Sequence, residues 1–137
     1  MSGVTYGGLD CNTSAGDNDL FVVKYNSSGT KQWMEQLGTP SSDAANAVAT
    51  DSSGNVYVVG VTNGVLGDKN KGNSDLFVVK YNSNGKKQWT KQLGSSILDF
   101  DYGVATDSSR NVYVSGDTFG GLDGNISAGN SDLFEFD

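Results

Sequence analysis

The residues of this chain that could do chemistry are aspartates and asparagines, clustered in segments rich in Gly and Ser. Their side-chain oxygens are the hard ligands that calcium prefers, so these segments are candidate calcium loops. The alternative is that Asp, Asn and Gly form turns there, because no segment has the spacing or the final Glu of an EF-hand. The candidate calcium ligands are Asp10, Asn12, Asp17, Asp123 and Asn125.

The composition excludes several classes of catalytic chemistry. The sequence has no histidine, which removes Ser-His-Asp triads, histidine acid–base catalysis and most transition-metal sites. Cys11 is the single cysteine, so no disulfide can form within the chain. A net charge of −7 with only nine Lys and Arg disfavours nucleic acid as a partner, and no apolar run is long enough to span a membrane. We therefore expect a protein that is not an enzyme and has no cofactor other than calcium.

An internal repeat decides how these segments are positioned. Residues 19–60 align without a gap with residues 75–116, and 28 of the 42 positions are identical. The period is 56 residues, and a third copy begins at Asp132. A period of this length indicates a repeat architecture. Because Asp51 and Asp107 recur once per repeat, they fit a structural role in turns better than a single catalytic site.

Each repeat contains four short segments rich in Val, Tyr, Phe and Trp, separated by Gly, Asn, Asp and Ser. This pattern predicts four β-strands per repeat and no helix. The second and third strands are almost continuously apolar, which predicts cover on both faces, whereas the fourth alternates with polar residues and suits an exposed sheet edge. The predicted strands A, B, C and D span residues 45–51, 55–62, 75–82 and 87–93.

The connections between the strands alternate in length. Tight turns join A to B and C to D, with Gly or Asn where a positive φ is needed, whereas the B–C and D–A links are predicted at about ten residues each. Arg110 stands where the first copy has Gly54, so we expect that this turn position is not strictly left-handed. Four-stranded antiparallel sheets that repeat radially are the blades of a β-propeller, and this all-β fold is the predicted fold class.

The strings ATDSSGNVYVVGVT and SDLFVVKYNSNGKKQW resemble the bacterial SBBP class of β-propeller repeat. They are more distantly similar to NHL-type repeats, which share the D-x-x-G-N-x-Y-V hairpin. The resemblance covers nearly the whole chain in register. It implies that strand A is innermost and strand D outermost, that the parent protein is secreted or on the bacterial surface, and that the repeats share no catalytic residues. The first residues of the chain do not have the pattern of a signal peptide.

The chain is predicted to be a single domain (residues 1–137) that holds between two and three repeats. A partial repeat comes first, two further repeats follow, and a truncated repeat comes last. A propeller ring closes only with a whole number of blades, so we expect closure by head-to-tail association of copies of this chain. The repeat boundaries are residues 1–18, 19–74, 75–131 and 132–137.

Two schemes of closure are open. If residues 102–118 of one copy join residues 19–37 of the next, each chain supplies two blades. If both ends form their own incomplete blades, each chain supplies three. Six blades satisfy both schemes, and four blades are the next choice. The predicted contact residues are Asp19, Phe21, Val23, Tyr25, Val112, Tyr113, Val114, Leu133 and Phe134.

The long B–C and D–A links are expected at one end of the propeller, where a rigid scaffold usually carries its binding sites. Tyr6, Asn63 and Phe119 occupy equivalent positions at the start of the three B–C links and are the candidate contacts for a sugar or peptide. Trp33 and Trp89 are expected to seal the gap between neighbouring blades. The predicted function is a non-enzymatic scaffold or recognition module that self-assembles into a closed propeller. The alternative is a carbohydrate-binding propeller with its sites on the long-link end.

Overall fold

The computed structural model describes residues 1–9, 11–67 and 69–122, and the backbone of a final strand at Asp132–Phe136. Residues 101 and 102 are also described by their backbone alone. These parts of the chain contain ten β-strands and no helix, so none of them provides a helix that could cross a membrane. The strands are β1 (Ser2–Thr5), β2 (Asp19–Tyr25), β3 (Lys31–Leu37), β4 (Asp43–Thr50), β5 (Val56–Thr62), β6 (Asp75–Tyr81), β7 (Lys87–Leu93), β8 (Asp99–Thr106), β9 (Val112–Thr118) and β10 (Asp132–Phe136).

Antiparallel pairing divides the strands into three sheets. The central sheet, blade 2, contains β4, β5, β6 and β7 in chain order, and these are strands A, B, C and D of one repeat. Blade 1 contains β1, β2 and β3, which are strands B, C and D. Blade 3 contains β8, β9 and β10, which are strands A, B and C. The predicted all-β architecture of antiparallel blades is confirmed.

Blade 2 lies between the other two blades, and its apolar strands fill both gaps. One buried cluster packs Leu20 and Val22 of blade 1 against blade 2. A second cluster joins Val59 and Val78 of blade 2 to Val114 of blade 3. Successive side chains of a strand point to opposite faces, so β5 and β6 need apolar residues at nearly every position. The cover predicted for both faces of strands B and C is confirmed for this blade.

Strand A begins earlier than the sequence indicates, whereas strand D has its predicted bounds. β4 starts at Asp43 rather than at residue 45, so the D–A link (residues 38–42) is half the predicted length. The pairing register shifts between Ala45 and Ala47, which makes Asn46 the extra residue of a β-bulge. The Asp43 carboxylate accepts hydrogen bonds from the link and from strand B, which lets the strand begin in a segment of weak β propensity.

The tight A–B turns share a left-handed residue. Gly54 has a φ of 78°, and Arg110, at the same place in the next repeat, has a φ of 70°. The prediction that this position is not strictly left-handed is wrong. The Asp107 carboxylate accepts the N–H groups of Ser109 and Asn111, on either side of Arg110, and these bonds hold the turn in one shape.

Replacement of Arg110 by glycine is expected to stabilise the protein. A non-glycine residue in the left-handed region costs about 1–2 kcal/mol, and Arg110→Gly removes this cost. Part of the gain is cancelled, because glycine has greater conformational freedom in the unfolded chain. We expect Arg110→Gly to raise the free energy of unfolding by roughly 0.5–1 kcal/mol in urea titrations. The matched control is Gly54→Arg, which is expected to lower it. A fall in stability for Arg110→Gly would contradict the presence of backbone strain.

Candidate functional site

The two ends of the blades differ in their connections. In an antiparallel meander, alternate connections meet at the same end, so the tight hairpins lie at one end and the B–C and D–A links at the other. At the long-link end, one parallel bridge joins Asn18 to Ser42 and another joins Ser74 to Leu98. Each bridge connects the residue before strand C of one blade to the residue before strand A of the next. We call this end the loop face.

A buried aspartate at the start of strand C holds the B–C link against strand D. The Asp75 Oδ2 atom accepts hydrogen bonds from Gln92 Nε2 and from the N–H of Lys71, both at 2.9 Å. Gln92 Oε1 in turn accepts the N–H of Leu66 at 2.9 Å. Gln92 was not among the predicted site residues, although its recurrence in the repeated string KQW-x-x-QLG was a usable signal. In blade 1 the equivalent residues are Asp19, Gln36, Ala15 and Leu9.

The other oxygen of this carboxylate is closed off from ligands. Asp75 is fully buried, and its Oδ1 atom has no hydrogen-bond partner among the described residues. It lies against Gly94, where an added Cβ would be only 2.0 Å from that oxygen. Asp19 lies in the same way against Gly38. Because glycine backbone fills the space in front of them, both aspartates are structural residues of the loop face.

A second buried aspartate ties strand A to strand B and to the D–A link. Asp43 Oδ2 accepts the N–H of Thr39 at 2.6 Å and its hydroxyl at 2.8 Å. Asp43 Oδ1 accepts the hydroxyl of Thr62 at 2.5 Å. Hydrogen bonds to a charged acceptor are stronger than those between neutral groups, so the two bonds from Thr39 hold the short D–A link firmly. In blade 3 the equivalent residues are Asp99, Ser95 and Thr118.

A third aspartate shapes the A–B hairpin at the opposite end. Asp51 Oδ1 accepts the N–H groups of Ser53 and Asn55, and Oδ2 accepts the Asn55 amide at 2.8 Å and the Tyr57 hydroxyl at 3.0 Å. Burial opposes ionisation, but these hydrogen bonds outweigh it and lower the pKa of Asp51 from 3.8 to about 2. Asp107 makes the same bonds, and a backbone N–H lowers its pKa as well. The predicted turn role of both residues is confirmed.

The candidate calcium ligands are only partly within the described structure. Asp10, Asp123 and Asn125 lie outside the described residues. The Asn12 amide donates to the carbonyl of Leu9 at 2.9 Å. In the described ranges no group of three or more His, Cys, Asp or Glu side chains is arranged to hold a metal ion. The remaining candidate is Asp17, which is exposed.

The candidate contacts for a sugar or peptide lie at the loop face, one per blade. Tyr6, Asn63 and Phe119 are each the first residue after a B strand. Tyr6 is 82% exposed and Phe119 is 37% exposed. Phe100 packs edge-on against Phe119, with ring centroids 6.2 Å apart, so blade 3 presents an aromatic pair. Phe100 was not among the predicted contacts, because the first repeat has Ala44 in its place.

Trp33 seals the gap between blades 1 and 2, as predicted. Its indole Nε1 donates to the carbonyl of Ser83 at 3.0 Å, and its ring lies 6.1 Å from that of Tyr81. The Lys24 ammonium donates to the same carbonyl at 3.0 Å. Trp89 differs: it packs on Tyr57 within its own blade and is 36% exposed. The equivalent C–D hairpin of the third repeat would follow residue 137.

The predicted contact residues are distributed over both three-stranded blades. β1 covers the edge of β2, and β10 covers the edge of β9, so an exchange of strands between copies requires β1 and β10 to leave. Asp19, Val23 and Val114 are buried, Phe21, Val112 and Tyr113 are half-buried, Tyr25 is 51% exposed, and the side chains of Leu133 and Phe134 lie outside the described residues.

The repeat matches a known family. The model of the SBBP β-propeller repeat matches residues 32–67 and 88–123, which together are more than half of the chain. The chain belongs to the SBBP β-propeller repeat family. Each match covers strands D, A and B of successive blades. The family predicted from the repeated strings is therefore confirmed.

Two longer proteins contain sequences similar to this SBBP chain. An uncharacterised WD repeat-containing protein of Acanthamoeba polyphaga mimivirus is 28% identical over 122 aligned residues, covering 76% of this chain and 9% of that protein. The regulatory protein FlaEY of Caulobacter vibrioides is 30% identical over 120 aligned residues, covering 81% of this chain and 13% of that protein. The SBBP chain thus spans about a tenth of the length of each relative.

The hydrogen bonds of Asp51 predict a specific dependence of stability on pH. The pKa is lowered on folding, so the stabilisation is present above the unfolded value of 3.8 and is lost as the pH falls through about 2. Asp51→Asn keeps one acceptor oxygen and loses the bonds that need the second. We expect it to lower the free energy of unfolding by about 1–2 kcal/mol at pH 7, measured by urea denaturation.

The difference between wild type and Asp51→Asn should be constant above about pH 5 and shrink below pH 4. Asp17→Asn removes the same charge from an exposed position and serves as the control. A difference that stays constant down to pH 2 would show that the ionised carboxylate of Asp51 does not stabilise the hairpin.

Proposed function

We propose that this SBBP chain is a non-enzymatic propeller module of a bacterial surface or secreted protein, whose copies assemble head to tail into a closed ring. The observation that supports this most directly is the complementarity of its two three-stranded blades. Within the described residues, blade 1 holds strands B, C and D and blade 3 holds strands A, B and C. Strands β8 and β9 of one copy and β2 and β3 of the next make up one complete blade.

The apolar faces of the incomplete blades supply the driving force in this proposal. Blade 2 is covered on both faces, whereas blades 1 and 3 are each packed on one side only within the described chain. Tyr25 of blade 1 stays 51% exposed, and Trp89, on the outer strand of blade 2, stays 36% exposed. Surfaces of this kind favour association. A second copy offers the matching surface because 28 of the 42 aligned positions of the repeats are identical.

We propose a non-enzymatic module because the buried aspartates accept hydrogen bonds that hold the blades together. Asp43, Asp51 and Asp75 each satisfy backbone or side-chain donors of their own blade. Acid–base catalysis needs a group that reaches substrate, and none of these three does so. The two longer proteins with similar sequences are a WD repeat-containing protein and a regulatory protein. A scaffold that binds other proteins is consistent with both.

The mass in solution tests the assembly. With two blades per chain, a six-bladed ring is a trimer and a four-bladed ring is a dimer. We expect native mass spectrometry and light scattering of the 137-residue chain to give three times, or failing that twice, the monomer mass of 14.4 kDa. A broad ladder of masses would indicate open polymers. A monomer at micromolar and higher concentrations would overturn the proposal.

A carbohydrate-binding propeller is the second candidate, and the exposed aromatic residues of the loop face favour it. Tyr6 and the Phe100–Phe119 pair offer ring faces on which a sugar could stack. We expect glycan-array binding that falls at least tenfold in a Tyr6→Ala, Phe119→Ala double variant. Val65→Ala removes another exposed apolar side chain from a B–C link (64% exposed) and serves as the control.

Equal loss in the control variant, or no binding by the wild type, would contradict a sugar site at these residues. Calcium binding by the B–C links stays a prediction of the sequence. The calcium chelator EDTA in the array buffer would show whether sugar binding depends on the metal.

A further inference from the structure

The packing of Trp33 provides an internal template for the junction between two blades. The Trp33 indole donates to the Ser83 carbonyl at 3.0 Å, and its ring lies 6.1 Å from that of Tyr81. Gly85 leaves room for the ring, since a Cβ there would lie 2.8 Å from it. All three partners belong to the C–D hairpin of the following blade. Tyr81 is only 2% exposed as a result.

The same residue types recur 56 positions away, but on surfaces that the chain does not bring together. Trp89 takes the place of Trp33, and the hairpin from Tyr25 to Gly29 takes the place of the Tyr81 hairpin. Tyr25 is 51% exposed, and nothing lies within 4 Å of the Cβ position at Gly29. Gly29 has a φ of 79° and Gly85 one of 84°, so the two hairpins have the same shape.

A cavity beside blade 1 is a second place that lacks the large aromatic side chain found there in the next repeat. It has a volume of about 190 Å³, lies between blades 1 and 2, and is lined by Met1, Lys24 and Trp33 among others. In the next repeat the place of Met1 is taken by Tyr57, which is 1% exposed. The Tyr57 ring lies 5.4 Å from the Lys80 ammonium and 6.1 Å from the Trp89 ring.

We propose that Trp89 of one copy docks on the Tyr25–Gly29 hairpin of the next copy, while Tyr113 of the first copy replaces Met1 of the second in this cavity. The inference rests on the proposed ring and specifies its contacts. Tyr113 stands on strand B of blade 3 where Tyr57 stands on strand B of blade 2. One join, β9 beside the next copy's β2, creates both contacts. The scheme in which each chain supplies three blades, with an incomplete blade at either end, creates neither.

Strand pairing alone does not drive this join, which is why the aromatic contacts matter. β1 pairs with β2 through four residues, and β10 pairs with β9 through five. The join releases both and forms a B–C ladder of the kind that joins β5 to β6 through seven residues. The exchange is therefore slightly unfavourable in backbone pairs. Burial of Trp89, Tyr25 and Tyr113 must supply the balance, as large aromatic residues do at interface hot spots.

A double-mutant cycle on the association constant tests the contact between Trp89 and Tyr25. We expect Trp89→Ala and Tyr25→Ala each to weaken association about 30-fold or more, and the double variant to be little weaker than either. Tyr25 is exposed in the single chain, so its replacement leaves the fold intact even if Trp89→Ala does not. Gln88→Ala, an exposed neighbour of Trp89, is the control and should leave association unchanged.

Fluorine NMR of protein labelled with 5-fluorotryptophan supplies an independent readout. The chain has two tryptophans, and Trp89→Phe assigns their resonances. We expect the Trp89 resonance to move toward that of Trp33 as the concentration is raised through the association range. A ring that forms while Trp89→Ala associates normally and the resonance stays fixed would overturn this inference and leave the proposed assembly standing. A wild-type chain that stays monomeric would overturn the assembly itself.

Discussion

Each blade of this protein has two apolar faces and needs a neighbour on each of them. Strands B and C supply both faces at once, which is why their middles are apolar at almost every position. Blade 2 meets the requirement inside the chain, through one cluster shared with blade 1 and another shared with blade 3. The folding of the chain is therefore a property of stacked blades, since no blade has a core of its own.

The buried aspartate carboxylates stabilise the links and strands of the stacked blades. Asp43 and Asp75 each stand where a strand begins, and the carboxylate of each accepts donors from two different segments. The buried Asp75 is held so closely that Gly94 has no room for a side chain. Such fixed carboxylates leave the loop face rigid, and any recognition there falls to the side chains that project from it, such as Tyr6.

Much of this architecture follows from the sequence, because the 56-residue repeat and the alternation of apolar runs with turn residues specify strand order directly. The start of strand A was not predictable, since Asp43 is held in the strand by bonds from the preceding link and from Thr62, which is distant in the sequence. The left-handed Arg110 was also hidden, because its side chain gives no sign of the backbone that Asp107 imposes. Likewise, pairing of Phe100 with Phe119 depends on the start of strand β8 meeting the start of a B–C link in space.

The near identity of β2 and β6 has a consequence for how the chain finds its partners. Both read DLFVVKY, and each pairs antiparallel with a B strand beginning its register at the same aspartate. A strand B therefore cannot distinguish β2 from β6 by sequence. During refolding, effective concentration decides which strand C pairs with a given strand B. It favours the strand C that follows in the same chain, and strands of other copies compete when the protein concentration is high. Kinetic history, as well as equilibrium stability, then decides which chains become neighbours.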